Sequence, residues 1–386
     1  MTHAPTLGQV VDALERLYPP EAAEEWDAVG LACGDREDTV RRVLFAVDPV
    51  PEVVDEALVW QADLLVTHHP LLLRPVHSVA TDTPKGSLLH RLIRGGCGLF
   101  TAHTNADVAA SGVNDALADV LGLRDTVPLR AWPTEPSDKV VTFVPPSHAE
   151  AVIDALRDAG AGTLGDYTRC AWTVEGTGTF TPGEGATPHI GEVGSVEVTP
   201  EVRVEMLVPR RLRASALDAV RAAHPYEEVA IDVFEVAPGP SGTGLGRVGT
   251  LATPMRLRQF AGHVAKALPA TPQGVRYFGD PDRQVARVAV CGGAGDSLLP
   301  DARQVGVDVY VTADLRHHPA SEHLAAGGPA LVDPGHWASE WPWLGWTEKR
   351  LREGLAGDGT TVETHVSTTV TDPATGHVAS RPEEDR

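Results

Sequence analysis

Over the first 125 residues, short apolar runs alternate with stretches whose apolar positions recur at helical spacing. Thr6-Leu7-Gly8-Gln9 has the form of a capping box, and Leu7, Val10, Val11, Leu14 and Leu17 mark one face of the helix it opens. Val43–Val47 reads as a strand closed by Asp48-Pro49, with Leu64–Thr67 and Cys97–Ala102 as two more. Helices over Val53–Leu58 and Ser87–Arg94 separate them, the second stopped by Gly95-Gly96. Alternation of this kind predicts a largely parallel sheet covered by helices.

From about residue 128 the pattern changes. A Pro-rich break, Trp132-Pro133 to Pro136, precedes strand Lys139–Val144 and a helix opened by a second capping-box sequence, Ser147-His148-Ala149-Glu150. Strands near Tyr167–Phe180 and Val196–Val208, a helix near Leu212–Ala223 and a strand Val229–Val236 follow. The order βαββαβ predicts a ferredoxin-like domain. The Gly/Pro-rich segment Thr181–Gly194 is expected to be a mobile loop. After about 246 the α/β alternation resumes, with strands Val285–Cys291, Val307–Thr312 and Ala330–Val332 each followed by a helix. The polar stretch from Asp372 is expected to be disordered. The predicted fold class is α/β: a split core domain (1–127 and 246–371) with mixed, largely parallel sheets flanked by helices. To it are added an inserted ferredoxin-like domain (128–245) and a polar tail (372–386).

The composition, 42% hydrophobic and 22% charged over 386 residues, suits a globular chain of two or three domains. No run approaches the ~20 apolar residues of a transmembrane helix, and Met1–Pro5 has neither a basic nor an apolar leader region. Cys33, Cys97, Cys170 and Cys291 lie far apart and read as isolated thiols of a reducing compartment, so a cytoplasmic protein is expected. A net charge of -21 argues against an extended phosphate-binding surface, which makes nucleic acid an unfavoured partner.

The candidate chemistry collects where ligands collect in open α/β sheets, beyond the carboxyl ends of the strands. His68-His69-Pro70 ends one strand, and His103 with Asp107 follows the next. Asp314, His317 and His318 follow a third, and His336 with Glu340 a fourth. Neighbouring side chains on a strand point in opposite directions, so His68 and His69 suit two nearby ions better than one. His336 and Glu340, four residues apart, share one face of a helix. Each piece alone has a plain alternative: an incidental His-His pair, a surface His–Glu pair, or helix caps at Asp314 and Asp333. Cys291-Gly292-Gly293-Ala294-Gly295 could cradle a phosphate at a helix N-terminus, but it lacks the Rossmann spacing and the P-loop lysine and reads as a tight strand-to-helix turn without a ligand. Trp337, Trp341, Trp343 and Trp346 read as a packed helix face, or as an aromatic wall beside the metals.

These motifs resemble the Nif-three-like dinuclear-metal family, whose members carry the label GTP cyclohydrolase type 2 homologue. The segments that carry the resemblance are Glu25–Leu31, Val66–Pro70, Ala102–Asp107, Gly244–Gly249, Val288–Gly293 and Gly335–Glu340, in family order. The resemblance implies two divalent ions per subunit, zinc, iron or manganese, held by His68, His69, Asp107, His336 and Glu340, with Glu340 bridging. It assigns His68 and His336 to one ion and His69 and Asp107 to the other. His103 and His318 would lie near the site as proton-transfer groups. A homohexameric toroid with inward-facing metal sites and an inserted PII/CutA-like domain is also implied. The activity implied is that of a metal-dependent hydrolase acting on a nucleotide or related small molecule. The alternative is a regulatory or ligand-binding assembly.

Overall fold

The computed structural model describes residues 3–378. The chain divides into two compact units, one made of residues up to Trp132 and from Gly242 onward, the other of Pro133–Ser241. The first segment of unit 1 holds α1 (Leu7–Leu17), β1 (Gly30–Cys33), β2 (Arg42–Ala46), α2 (Pro51–Val59), β3 (Leu64–Thr67) and α3 (Pro84–Arg94). It continues with β4 (Gly98–Thr101), α4 (Thr104–Val108), α5 (Val113–Val120) and β5 (Leu123–Pro133). Unit 2 runs β6 (Ser137–Val144), α6 (Ala149–Asp158), β7 (Ala171–Phe180), β8 (Glu197–Pro209), α7 (Arg213–Ala223) and β9 (Ile231–Val236). The chain re-enters unit 1 with β10 (Pro240–Arg256), α8 (Leu257–Ala267), β11 (Arg276–Phe278), β12 (Gln284–Ala294), α9 (Leu299–Val305) and β13 (Val309–Ala313). The last elements are α10 (His317–Ala325), β14 (Ala330–Asp333), α11 (His336–Glu340), α12 (Pro342–Gly357) and β15 (Glu363–Val366).

Unit 1 contains two mixed sheets, ordered β1-β4-β3-β2-β15 and β11-β14-β13-β12-β10-β5. In the first, β4, β3, β2 and β15 are parallel and β1 is antiparallel to β4. In the second, β12, β13 and β14 are parallel, with antiparallel β11 and β10 beside them. The central strands are apolar on both faces, and alternate residues feed different cores. Val43, Phe45, Leu64 and Val66 join Val288, Val290, Val309 and Val311 in one shared core, which α1, α5, α8, α11 and α12 complete. Leu44, Leu65 and Leu99 face α2 and α3 instead, and Ala289, Tyr310 and Leu331 face α9 and α10. The parallel strands therefore end around a common helical layer, and the loops after β3, β4, β13 and β14 carry the predicted chemistry.

The Thr6 capping box forms as read, with Gln9 N donating to Thr6 Oγ1 at 3.2 Å and Thr6 N to Gln9 Oε1 at 2.9 Å. The second does not: a 3-10 turn, Pro146–His148, leads into α6, and Glu150 pairs with Arg169 at 2.5 Å instead. The stretch from Asp372 to 378 also differs from the expected disorder. Asp372 is buried and accepts from Gln273 Nε2 at 3.1 Å, and the His377 ring meets the Pro272 carbonyl at 2.6 Å. The rest of the predicted tail lies outside the described residues.

Unit 2 forms one antiparallel sheet in the order β7-β8-β6-β9, with α6 and α7 packed on it. Buried Asp138 on β6 accepts from Arg213 at 2.7 and 3.0 Å and from Arg210 at 3.2 Å. The Arg213 hydrogen bonds, against some opposing desolvation, hold its carboxyl below the usual carboxylate range. A depressed folded-state pKa gives stability that is present above the unfolded value of about 3.9 and is lost as pH falls. Wild type should therefore lose stability on acidification below about pH 4 more steeply than Asp138→Asn. Urea melts across pH check this, and parallel curves for the two proteins would refute it.

Candidate metal centre

Four imidazoles from three strand ends meet two carboxylates in unit 1. His68 and His69 follow β3, whose buried strand fixes their backbone. His69 N donates to the Val47 carbonyl at 2.9 Å. His103 caps α4, which carries Asp107 one turn on. Gly335, at φ +89°, turns the chain after β14 into α11, and this short helix puts His336 and Glu340 side by side.

Each imidazole has its Nδ1 engaged. His68 Nδ1 meets the Ala102 carbonyl at 2.9 Å, and His69 Nδ1 meets Asp48 at 2.7 Å. His103 Nδ1 meets Asp27 at 2.8 Å, and His336 Nδ1 meets Asp314 at 2.7 Å. A carbonyl or carboxylate only accepts, so each Nδ1 carries a proton, and each ring in its neutral form presents an Nε2 lone pair. His336 Nε2 lies 3.0 Å from Glu340 Oε1, and His69 Nε2 lies 3.3 Å from Glu340 Oε2. His68 Nε2 is 3.5 Å from Glu340 Oε1 and 3.7 Å from Asp107 Oδ1. His69 and His336 face each other through Nε2 at 3.3 Å.

The electrostatics follow. Burial alone would lower the pKa of His68 and His69, but the Glu340 carboxylate outweighs it and both end up raised. His336, subject to the same opposition, is pushed up to about 9. Burial disfavours the Glu340 anion, yet His69, His68 and His336 together hold its carboxyl well below the usual range. Burial likewise opposes Asp27, and the hydrogen bonds from His103 and Thr104 win there too. The centre thus favours positive charge between its donors. His68 Nε2 and Glu340 Oε2 are both buried with no hydrogen-bond partner, which is costly unless a cation lies between such atoms. Two groups, His68-His69-His103 and His69-His336-Glu340, have ligand atoms close enough to hold a metal ion.

The family described as Duf34/NIF3 (NGG1p interacting factor 3) matches residues 5–373. The chain belongs to this family. A Mycobacterium tuberculosis relative, named GTP cyclohydrolase 1 type 2 homolog, is 54% identical over 368 residues, 95% of this chain and 96% of its own. A Bacillus subtilis relative of the same name is 40% identical over 347 residues, 90% of each chain. A solved Bacillus cereus protein related to NIF3 is 40% identical and superposes with a TM-score of 0.73, covering 97% of this chain and 99% of that one. A solved Staphylococcus aureus protein, 28% identical, gives a TM-score of 0.81 over 96% and 98%. The resemblance read from the motifs therefore holds at the level of family and fold.

In this NIF3-family chain, His68, His69, His103, Asp107, His336 and Glu340 come together. His318 does not join them among the described residues. It is exposed at the start of α10, with its ring 5.1 Å from that of His317. Two supporting acids, Asp27 and Asp48, escaped the sequence reading as site residues, and a third, Asp314, was a candidate there with a helix cap as its alternative. Asp27 lies in a motif that carried the resemblance, and Asp48 and Asp314 stand just past strand ends, which was the available signal. Asp314 holds a left-handed φ of +53°, a strained backbone of the kind found at functional sites. The Cys291–Gly295 run is also part of the site rather than a plain turn. Gly293 lies near the end of β12 at φ +63°, and a Cβ there would strike Glu340 Oε1 and sit 3.1 Å from His336 Nε2. Trp343 is buried, with its ring 5.2 Å from that of His68, so the tryptophans mainly pack. Orienting partners of metal-binding histidines typically matter 10–100-fold, so Asp48→Asn and Asp314→Asn should each weaken divalent-metal binding by about that factor. Calorimetric titration reads it, and wild-type affinity in both variants would remove their orienting role.

Proposed function

We propose that this centre is a dinuclear divalent-metal site, for zinc, iron or manganese, and that the chain is a metal-dependent hydrolase acting on a nucleotide or related small molecule. One observation carries the reading: His68 Nε2 and Glu340 Oε2 are buried and unpartnered among imidazoles whose Nδ1 atoms are all committed elsewhere. The distances divide the donors into His68 with Asp107 and His69 with His336, with Glu340 shared between them. The resemblance implied a different pairing across the two ions, His68 with His336 and His69 with Asp107. Two ions so held would lower the pKa of a water between them and polarise the scissile group.

The side chains supply the rest. Asp48 and Asp314 fix the tautomer and orientation of His69 and His336. Glu340 brings one negative charge that serves both halves of the site. His103, held by Asp27 beside the His68 and His69 rings, is the group placed to move a proton.

The test is elemental analysis of protein purified without an affinity metal, followed by a nucleotide and phosphoester screen of metal-loaded and chelator-treated protein. Two equivalents per chain with metal-dependent turnover is the expected result. No metal would sink the site, and turnover indifferent to chelation would sink the hydrolase reading.

Unit 2 favours a second reading, since none of the cluster residues lies in it and its βαββαβ order and β7-β8-β6-β9 sheet suit a ferredoxin-like, PII/CutA-type module. On that reading the chain is a regulatory or ligand-binding assembly. A ligand-induced thermal shift without turnover would support it. We also propose a homohexamer, which light scattering of the purified protein tests. No helix among the described residues is long and apolar enough to cross a membrane.

A further inference from the structure

We propose that unit 2 carries a binding site of its own, a cavity for a small organic cation with an apolar body. The cavity has a volume of about 450 Å³ and lies between the β7–β8 loop, the sheet and the α7–β9 loop. That is within the usual size range of small-ligand pockets, roughly 300–1,000 Å³. Its apolar walls include Phe143 on β6, Phe180 at the end of β7 and Ile190 on the loop, with Tyr226 on the opposite side. Glu201 on β8 and Glu228 add carboxylates, and neither lysine nor arginine is among its lining residues. Arg203 lies 5.9 Å over the Phe143 ring but is paired with Glu205 at 2.9 Å and does not line the cavity.

The polar groups are held in place rather than scattered. Tyr226 N donates to His224 Nδ1 at 3.1 Å, and His224 Nε2 donates to the Phe143 carbonyl at 2.9 Å. Both bonds suit one neutral tautomer of this buried histidine, so the two walls are tied to each other. The Tyr226 hydroxyl donates to Glu201 Oε1 at 3.1 Å, and burial together with Glu201 pushes its pKa up to about 12, so it stays a donor. Gly178 clears the space for this carboxylate: a Cβ there would collide with Glu201 Oε2. Aromatic faces beside carboxylates, with no lysine or arginine opposing them, attract positive charge and repel anions. The predicted loop Thr181–Gly194 thereby gains a role, as one wall of this cavity.

The test is calorimetric titration of the full chain, with and without chelator, using choline, phenyltrimethylammonium and 3,3-dimethylbutan-1-ol. Phenyltrimethylammonium has no atom that can ligate a metal, and the chelator arm accounts for the hydroxyl of choline and of the alcohol, so binding at the metal centre is not confused with binding in unit 2. The uncharged alcohol matches choline in shape. Both cations should bind saturably, and the alcohol about fivefold or more weakly than choline. Glu201→Gln and Gly178→Ala should each weaken phenyltrimethylammonium by about the same factor, with folding checked by circular dichroism. If Glu201→Gln fails to fold, exposed Glu228→Gln replaces it with the same expectation. Equal binding of choline and its uncharged isostere would overturn the proposal. So would wild-type affinity in the folded variants, or no saturable binding of either cation at millimolar concentration.

Discussion

Glu340→Ala should reduce bound metal from about two equivalents per chain to well below one, with the fold retained. Three imidazoles converge on this carboxylate, at 3.0 Å from His336, 3.3 Å from His69 and 3.5 Å from His68, and both of its oxygens face imidazole Nε2 atoms. Removing it takes the shared negative charge from both halves of the site at once. The loss should exceed the ~100-fold upper range typical of outer-shell partners such as Asp48 and Asp314. Alanine is a good helix residue, and α11 is anchored by Trp337 and Ala338 in the shared core, so the helix should survive. Glu340→Gln keeps the shape but loses the charge, and should fall between wild type and alanine. Elemental analysis and circular dichroism of the three proteins decide the matter. Two full equivalents in folded Glu340→Ala would rule out a shared carboxylate.

The parts of this centre that the sequence revealed are those with local signatures. His68-His69 stands out because an apolar run ends in two imidazoles, and His336–Glu340 because helical spacing puts both on one face. The split core with largely parallel sheets was legible for the same reason, since the doubly buried strands are continuous apolar runs. Partner assignment was not legible. Whether His68 lies nearer Asp107 or His336 depends on how the ends of two sheets meet around the shared core, and no spacing encodes that. Asp48 and Asp314 look like ordinary strand-end acids until the imidazoles they hold are in place. Strand β15 escaped notice because its four residues are at most half-buried and it is stabilised mainly by pairing with β2, far away in the chain. The boundaries expected at 128 and 245 fell inside β5 and β10, two long strands paired with each other at the edge of the second sheet. The Pro- and Gly-rich residues there read as breaks.

Arg247→Met should cost roughly 3–5 kcal/mol, the typical penalty for leaving one partner of a buried ion pair uncompensated. Arg247 is only 2% exposed, yet all five of its N–H donors are used. Its Nε and Nη2 grip both oxygens of Asp115 at 2.7 Å, and its Nη1 donates to the Gly244 and Gly246 carbonyls at 2.8 Å. Nη2 also donates to the Ala109 carbonyl at 2.9 Å. One guanidinium thus ties β10 to the first turn of α5 and to the end of α4, two residues past Asp107. This gives a physical reason for arginine within Gly244–Gly249, a segment that sequence comparison alone marks without explaining. Methionine fills the volume but strands a carboxylate and three carbonyls in the interior. Lysine should rescue little, because an ammonium has three donors and cannot form the planar fork. A thermal melt should show a fall of about 10 °C for either variant. Arg247→Met/Asp115→Leu should recover part of the loss, since removing both partners leaves no buried charge uncompensated. Wild-type stability in Arg247→Lys would show that charge alone, not the five-donor geometry, holds this junction together.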